Sequence, residues 1–392
     1  MSTPTPSRSG ADRCPGLLSP FVSADGAMVR LRIPGGRVSA HTLGEISSLA
    51  GRFGDPDITL TSRGSLQLRG LPDPLPRELV TAIGDLGLIP SGPHDKARNI
   101  IADPDPGLDD LVTALDERLL ADPDLAELPG RFLLAVARPG GPVLAEPWDI
   151  ALVATPTPAE ERGTSLETPP TPTATLLVAD RATPLPHDTA AEAALDVARR
   201  FLATRTDTRT WNVRDLPEDL RADLLPGGAP FDVVAGDPPA PGPVGDDLVA
   251  LVPLGLLTPE MVTSLAEVTA SRGSSQSSSH LDQRGVVVTP WRSVVVRGGA
   301  TRAEELATAG FDTTPDSPWT VLTACAGAPA CARTTTPTRD LARTAAPLID
   351  PAGTPVHVIG CERACGHPAR PHTIALDPRI AADIVAAQHE KA

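Results

Sequence analysis

Between residues 27 and 33 the chain alternates apolar and polar positions. Val29, Leu31 and Ile33 point one way, and Met28, Arg30 and Arg32 the other. That is the period of a half-buried strand. Pro34-Gly35-Gly36 ends it. A helix follows, capped by Ser39 or by His41-Thr42, with Leu43, Ile46 and Leu49-Ala50 at helical spacing and Gly51 and Gly54 closing it. Residues 57–60 begin a second strand that runs on through 61–70, as one strand or as a hairpin. Residues 75–86 form a second helix. The same order returns later: a strand at 247–253, a helix opened by Thr258-Pro259-Glu260 and continued over 261–271, a Ser-rich loop at 271–284, a strand pair within 285–298 and a helix at 302–309.

The two copies also share a word. Thr61-Ser-Arg-Gly-Ser-Leu-Gln-Leu-Arg-Gly70 aligns without gaps on Thr289-Pro-Trp-Arg-Ser-Val-Val-Val-Arg-Gly298, with Thr, Ser, Arg and Gly recurring at matching positions. An internal repeat of an α/β unit predicts an α+β protein built from duplicated ferredoxin-like half-domains. Such a pair commonly forms a pseudo-twofold cleft with a ligand at its centre. Each copy is followed by a larger α/β lobe. We therefore expect a disordered leader at 1–13, half-domains at 14–94 and 236–315, a first lobe without cysteine at 95–235, and a second lobe at 316–392. Helices are expected at 109–120, 190–204 and 378–388, and a strand after the word at 128–134. If the lobes are paralogous, only the second carries cysteine ligands. Proline clusters at 155–158, 169–172 and 237–243 read as loops, and the Pro/Thr stretch 155–173 as an exposed excursion.

Composition narrows the function. The 392-residue chain is 41% hydrophobic and 21% charged, which is globular, and it has a formal net charge of -15, which argues against a nucleic-acid partner. No apolar run approaches the ~18 residues of a membrane span, and the N-terminus lacks the apolar core of a secretory signal, so a cytoplasmic protein without a membrane partner is expected. Lysine occurs only at Lys96 and Lys391, so the positive charge is almost all arginine.

Four of the five cysteines fall in two short words, Cys325-x5-Cys331 and Cys361-x3-Cys365. Buried structural cysteines, a zinc site and an iron–sulfur cluster are the competing readings. Zinc prefers tighter knuckles, whereas a [4Fe–4S] cluster takes four thiolates. Ala326, Gly327, Ala328, Ala330, Gly360 and Gly366 would let backbone approach such a cluster closely. Cys14, remote in sequence, reads as a free structural thiol. Strand alternation would set Arg63, Ser65, Gln67 and Arg69 on one face, and Trp291, Ser293, Val295 and Arg297 on its counterpart, with Arg292 pointing away. Arginine forks match carboxylates in pairs.

These words resemble the sulfite/nitrite reductase superfamily, in which the C-x5-C and C-x3-C set binds a [4Fe–4S] cluster. TACAGAPACA and VIGCERACGHP, with CPG at 14–16, TPWR at 289–292 and CGHP at 365–368, are most similar to its precorrin-3B synthase branch, over roughly residues 14–390. The resemblance implies a cluster on Cys325, Cys331, Cys361 and Cys365. It also implies tetrapyrrole carboxylates held by Arg32, Arg63, Arg69, Arg98, Arg131 and Arg297, with Gln67 assisting. The implied reaction is O2-dependent hydroxylation of precorrin-3A with γ-lactone formation, a monooxygenase activity fed by an external electron donor (NADH, or a reductase or ferredoxin) and using a mononuclear non-haem iron. No catalytic residue is assigned, and the spacing of His357, His367 and His372 makes no facial triad. The alternative is a siroheme-dependent sulfite or nitrite reductase. Those enzymes carry a basic pair where this chain has Arg131-Phe132-Leu133, and the second basic residue is missing. A third expectation is a non-catalytic Fe–S carrier, which would need no arginine-lined cleft.

Overall fold

The computed structural model describes residues 12, 14–154, 173–270 and 285–390. The leader apart from Asp12, nearly all of the Pro/Thr stretch and the Ser-rich loop lie outside the described residues. In chain order the first half-domain comprises β1 (Phe21–Ser23), β2 (Gly26–Leu31), β3 (Arg37–Val38), α1 (Ala40–Phe53), β4 (Ile58–Leu60), β5 (Leu66–Leu71) and α2 (Arg77–Asp85). The first lobe follows with β6 (Ile100–Ala102), α3 (Asp109–Ala121), β7 (Leu134–Ala137), β8 (Ile150–Ala154), β9 (Thr173–Val178), β10 (Arg181–Pro186), α4 (Ala190–Thr204), α5 (Glu218–Asp223) and β11 (Ala229–Pro230). The second half-domain has β12 (Gly242–Val244), β13 (Asp247–Leu251), β14 (Leu256–Leu257), α6 (Pro259–Ala270), β15 (Val286–Val288), β16 (Ser293–Val296) and α7 (Ala303–Thr308). The second lobe closes the chain with β17 (Leu322–Ala324), α8 (Thr338–Ala345), β18 (Val356–Ile359), β19 (Thr373–Leu376) and α9 (Ala381–His389).

Local chemistry explains the repeat. Ser39 is the cap of α1, its hydroxyl accepting the Thr42 N–H at 2.9 Å. Gly51, expected to close α1, lies inside it, and the helix runs on to Gly54. The shared word at 61–70 is a hairpin. Thr61 N–H bonds the Ser65 carbonyl at 3.0 Å, and Thr289 N–H bonds the Ser293 carbonyl at 3.0 Å. Arg63 and Trp291 therefore sit in turns and not on strands, which corrects the expected strand faces at those two positions. The turn needs a left-handed residue. Gly64 supplies it at φ 59° in one copy and Arg292 at φ 59° in the other.

The half-domains do not close on themselves. The first sheet has the order β1-β2-β5-β4-β14 and the second β12-β13-β16-β15-β3, so each borrows a two-residue strand from the other copy. Both borrowed strands follow a left-handed pair, Gly35 and Gly36 before β3, Leu254 and Gly255 before β14. Gly36 has no room for a side chain, because a Cβ there would lie 1.9 Å from the Val288 carbonyl oxygen. One apolar core runs through both copies, joining Leu31, Leu43, Ile46 and Leu68 to Leu248, Val252, Leu265 and Val296.

The lobes repeat each other as well. β6, β7 and β8 are adjacent and parallel, as are β17, β18 and β19. The first lobe adds β9, β10 and β11 as an antiparallel extension beside β8. Each lobe has its own apolar core, around Leu115, Leu134 and Phe201 in the first and around Leu322, Ala342, Val358 and Ile384 in the second.

Matching arginines of the repeat tie half-domains to lobes. Arg69 donates to Asp25 at 2.9 and 3.1 Å and reaches the Ala330 carbonyl of the second lobe at 3.0 Å. Its counterpart Arg297 donates to Asp109, at the start of α3 in the first lobe, at 2.7 and 3.0 Å. Burial pushes the Asp109 carboxyl up, but Arg297 and Arg37 outweigh it and hold the group below the usual carboxylate range. Arg297→Ala leaves Asp109 with Arg37 alone and removes two charge-assisted hydrogen bonds, and is expected to destabilise the protein by about 1–3 kcal/mol, read as a lowered urea midpoint.

Candidate functional site

Three parallel strands present the cysteines. Cys325 directly follows β17 and Cys361 lies two residues beyond β18, so both words lie at the carboxyl end of the same small sheet. In open α/β sheets that end is where ligands bind. The first loop is braced by hydrogen bonds from Cys331 N–H to Gly327 carbonyl and from Ala328 N–H to Thr336 carbonyl, both 2.8 Å. Thr338 hydroxyl holds the Cys325 carbonyl at 2.8 Å. The second loop turns tightly, with Ala364 at φ 45° and Gly366 at φ 78°. All four thiols are free and none is buried. Partial desolvation raises the Cys365 thiol, and neighbouring Cys325 raises it further, as do Cys361 and Cys331, while Arg363 opposes them. Cys325, Cys361 and Cys331 thus lie within electrostatic reach of Cys365. This donor set fits a thiolate-ligated cluster.

The first lobe puts a carboxylate where the second puts its first cysteine. Asp103 N–H bonds the Val136 carbonyl at 3.0 Å, and Cys325 N–H bonds the Val358 carbonyl at 2.9 Å. The strand registers make these equivalent positions. Asp103 accepts backbone N–H groups from Arg138 at 3.0 Å and Val143 at 3.1 Å, and a Cβ on Gly141 would fall 1.7 Å from its oxygen. A short acid bridges the loops that thiols line in the other lobe.

The mononuclear iron does not find residues. The His372 ring centroid lies 6.0 Å from that of His357 and 5.7 Å from that of His367. Yet His357 uses both ring nitrogens, on Thr323 hydroxyl at 2.8 Å and the Cys365 carbonyl at 3.1 Å. Burial holds its pKa down to about 3, with nearby Arg292 adding to the effect. It is a neutral brace for the cysteine loop. Among the described residues no three His, Cys, Asp or Glu side chains converge on a single ion.

The anticipated arginines divide into two groups. Arg32 is buried and donates to Asn99 at 2.8 Å, to the carbonyls of Asp95 at 2.9 Å and Pro15 at 3.2 Å, and towards Cys14 sulfur at 3.4 Å. Arg98 forks onto Asp116 of α3 at 2.7 and 2.8 Å and onto the Leu88 carbonyl. With Arg69 and Arg297, these act inside the protein as braces. Arg63, Gln67 and Arg131 stand apart. Gln67 lies across the sheet from Arg30 and Thr59. Arg63 hydrogen-bonds the Arg131 carbonyl at 3.0 Å, and Arg131 stacks 5.0 Å above the Trp211 ring, with Asp12 at 3.5 Å. Burial pushes the Arg63 pKa down to about 10; Cys14 opposes that, and Arg30 and Arg131 add to it. Arg30, Arg63 and Arg131 thus crowd one place. Leu133, where a second basic residue is missing, is fully buried in an apolar cluster.

Three further residues join this place, and the sequence reading did not single them out as a set. Arg292 reaches across to the Gly366 carbonyl at 2.5 Å, beside Cys365. Arg370 is fixed by Asp237 and by the Gly236 carbonyl at 2.7 Å. Both lie within electrostatic reach of Glu146, as does Arg63, and Glu146 accepts the Trp291 indole N–H at 3.0 Å. The Nε atoms of Arg30 and Arg370 are buried without a hydrogen-bond partner among the described residues. First half-domain, first lobe, second half-domain and cysteine lobe therefore meet at a junction rich in guanidinium donors, although the chain as a whole is acidic.

Residues 22–75 match the nitrite/sulfite reductase ferredoxin-like half domain. The fold as a whole is that of the solved structure of Mycobacterium tuberculosis NirA protein, with TM-score 0.58 and 18% identity over 87% of this chain and 69% of that one. The architecture is thus of the nitrite/sulfite reductase type. Across its length the chain is similar to precorrin-3B synthase from a Sinorhizobium species, 27% identical over 389 residues, covering 91% of this chain and 78% of the relative. A shorter stretch of 155 residues is 34% identical to ferredoxin–nitrite reductase of Synechococcus elongatus, covering 35% of this chain and 29% of that enzyme. The resemblance read from the sequence is borne out. Both curated relatives are enzymes, which supports an oxidoreductase-type enzyme. Among the described residues no helix is long and apolar enough to cross a membrane.

The junction should bind polycarboxylates. Arg63→Ala is expected to weaken binding of uroporphyrin III about tenfold or more, the loss of one or two charge-assisted hydrogen bonds, whereas Arg98→Ala lowers the melting temperature and leaves the dissociation constant unchanged. Isothermal titration separates the two outcomes.

Proposed function

We propose that this protein oxidises a polycarboxylate tetrapyrrole, hydroxylating precorrin-3A with O2 and closing a γ-lactone from a ring acetate. The observation that carries the reading is the guanidinium-rich junction beside four free thiols. A tetrapyrrole precursor presents carboxylates around its rim, and arginine forks hold carboxylates in pairs. Arg63 and Arg131 would anchor that rim with Gln67, and Arg30, Arg292 and Arg370 extend the same donor surface. Cys325, Cys331, Cys361 and Cys365 would hold a [4Fe–4S] cluster, which when bound relays single electrons from an external donor.

The braces define what the chain itself does for the reaction. Arg69 and Thr338 hold the first cysteine loop, and His357 and Arg292 hold the second. Fixed loops keep the distance between cluster and substrate constant. The hydroxylation balances with one O2, two electrons and two protons, one oxygen entering the product and the other leaving as water. The residues described do not suit a mononuclear iron, and no step is assigned to one.

A siroheme-dependent sulfite or nitrite reductase is the second reading, favoured by the partial similarity to ferredoxin–nitrite reductase. A bound siroheme makes the same demand for arginines. The buried Leu133 in place of a second basic side chain speaks for the tetrapyrrole as substrate.

The test is isotopic. Anaerobically purified protein with precorrin-3A and a reductant, exposed to 18O2, is expected to yield a product carrying one labelled oxygen by mass spectrometry. No label, together with a siroheme spectrum and sulfite or nitrite turnover, would establish the second reading. Cys325→Ser is expected to abolish stoichiometric iron and sulfide. Full retention of both would overturn the ligand set.

A further inference from the structure

We propose that Glu146 donates a proton to the oxygen atom that leaves as water when the bound tetrapyrrole is hydroxylated. The inference rests on the tetrapyrrole reading and deepens it. Hydroxylation consumes two protons, and a site closed around a macrocycle must deliver them through a side chain or an ordered path. Glu146 is the C-cap of a short helical turn at Pro142–Ala145 in the first lobe. One oxygen accepts the Trp291 indole N–H at 3.0 Å, which fixes the carboxyl's orientation. Arg370, Arg292 and Arg63, from the cysteine lobe, the second half-domain and the first half-domain, lie within electrostatic reach of it. Arg214 bonds the carbonyl of the next residue, Pro147, at 3.4 Å. Glu146 is the buried acid among the guanidiniums that would hold the substrate's own carboxylates.

The chemistry suits a donor that must recharge. Burial drives the carboxyl up to about 7, with the Trp291 hydrogen bond and the three arginines pulling the other way. Proton transfer leaves a carboxylate, which the same arginines stabilise, and solvent returns the proton when product leaves. Binding a polyanion against those arginines offsets their pull and raises the carboxyl's pKa further. Substrate binding therefore loads the donor.

The sign of the pH effect follows. The acid form works, so kcat/KM falls as pH rises through about 7, and kcat falls at a higher pH because bound substrate raises the group. Trp291→Phe removes a bond that favours the anion, so the inflection should move to higher pH. Glu146→Gln keeps a carbonyl acceptor for the indole and cannot ionise. The folded state holds its proton to higher pH than the unfolded chain, so wild-type Glu146 loses stability as pH rises from the ordinary carboxyl range to about 7. Glu146→Gln is thus expected to melt no lower than wild type at pH 8, and lost turnover in it is not lost fold.

Two measurements test the assignment on the full chain. With uroporphyrin III as probe, calorimetry at pH 7.5 in buffers of differing ionisation enthalpy should show proton uptake on binding by wild type, and a clear reduction in Glu146→Gln, which should bind as tightly as wild type or tighter. With precorrin-3A, Glu146→Gln should lower kcat about 100-fold and lose the alkaline limb of the pH profile. Equal proton uptake in both proteins, or an unchanged kcat and pH profile, would overturn the assignment of Glu146 while leaving the tetrapyrrole reading intact. Wild-type protein that binds neither tetrapyrrole would overturn the reading and the assignment together.

Discussion

Everything in this molecule depends on the exchange of β3 and β14. Each half-domain sheet is completed by a strand of the other copy, and one apolar core runs through both. Neither half can close its sheet edge or bury its core alone. The exchange fixes the relative position of the halves, and Arg69 and Arg297 then carry that position outwards to the lobes. The four-way junction is a product of this chain of constraints. No single element builds it.

Duplication followed by divergence explains the asymmetry. The polar row of Arg30, Gln67 and Thr59 in the first sheet corresponds to the valine row of Val249, Val295 and Val287 in the second. In the lobes, Asp103 ties loops together where Cys325 stands in the copy. One half thus supplies polar donors and the other an apolar wall, while one lobe presents thiols and the other a structural carboxylate. Such a division suits a flat, partly apolar ligand with a charged rim.

The repeated strand–helix units, α4 in full and the two cysteine words were legible because periodicity and spacing are local properties. Arg32, Arg69, Arg98 and Arg297 were legible only as arginines. Charge patterning cannot tell a guanidinium that meets Asp109 or Asp116 from one left for a ligand, because those partners lie far away along the chain. Arg63 was placed on a strand because its neighbours alternate, whereas the hairpin turn between Thr61 and Ser65 takes it out of the sheet. Glu146 gave no signal at all. It is an ordinary acid in a proline-rich loop until the fold gives it the Trp291 indole as donor and brings three distant arginines within electrostatic reach.

The sequence by itself determined the repeat, the α+β class and the grouping of four thiols, since each is written in local spacing. Only the tertiary structure decided which arginines are braces and which face the junction, that His357 is a neutral support, and where a proton could be stored. Those properties come from burial and from distant partners. Desolvation and Coulomb interactions act through space, so they take their values only once the exchanged strands have brought the four pieces together.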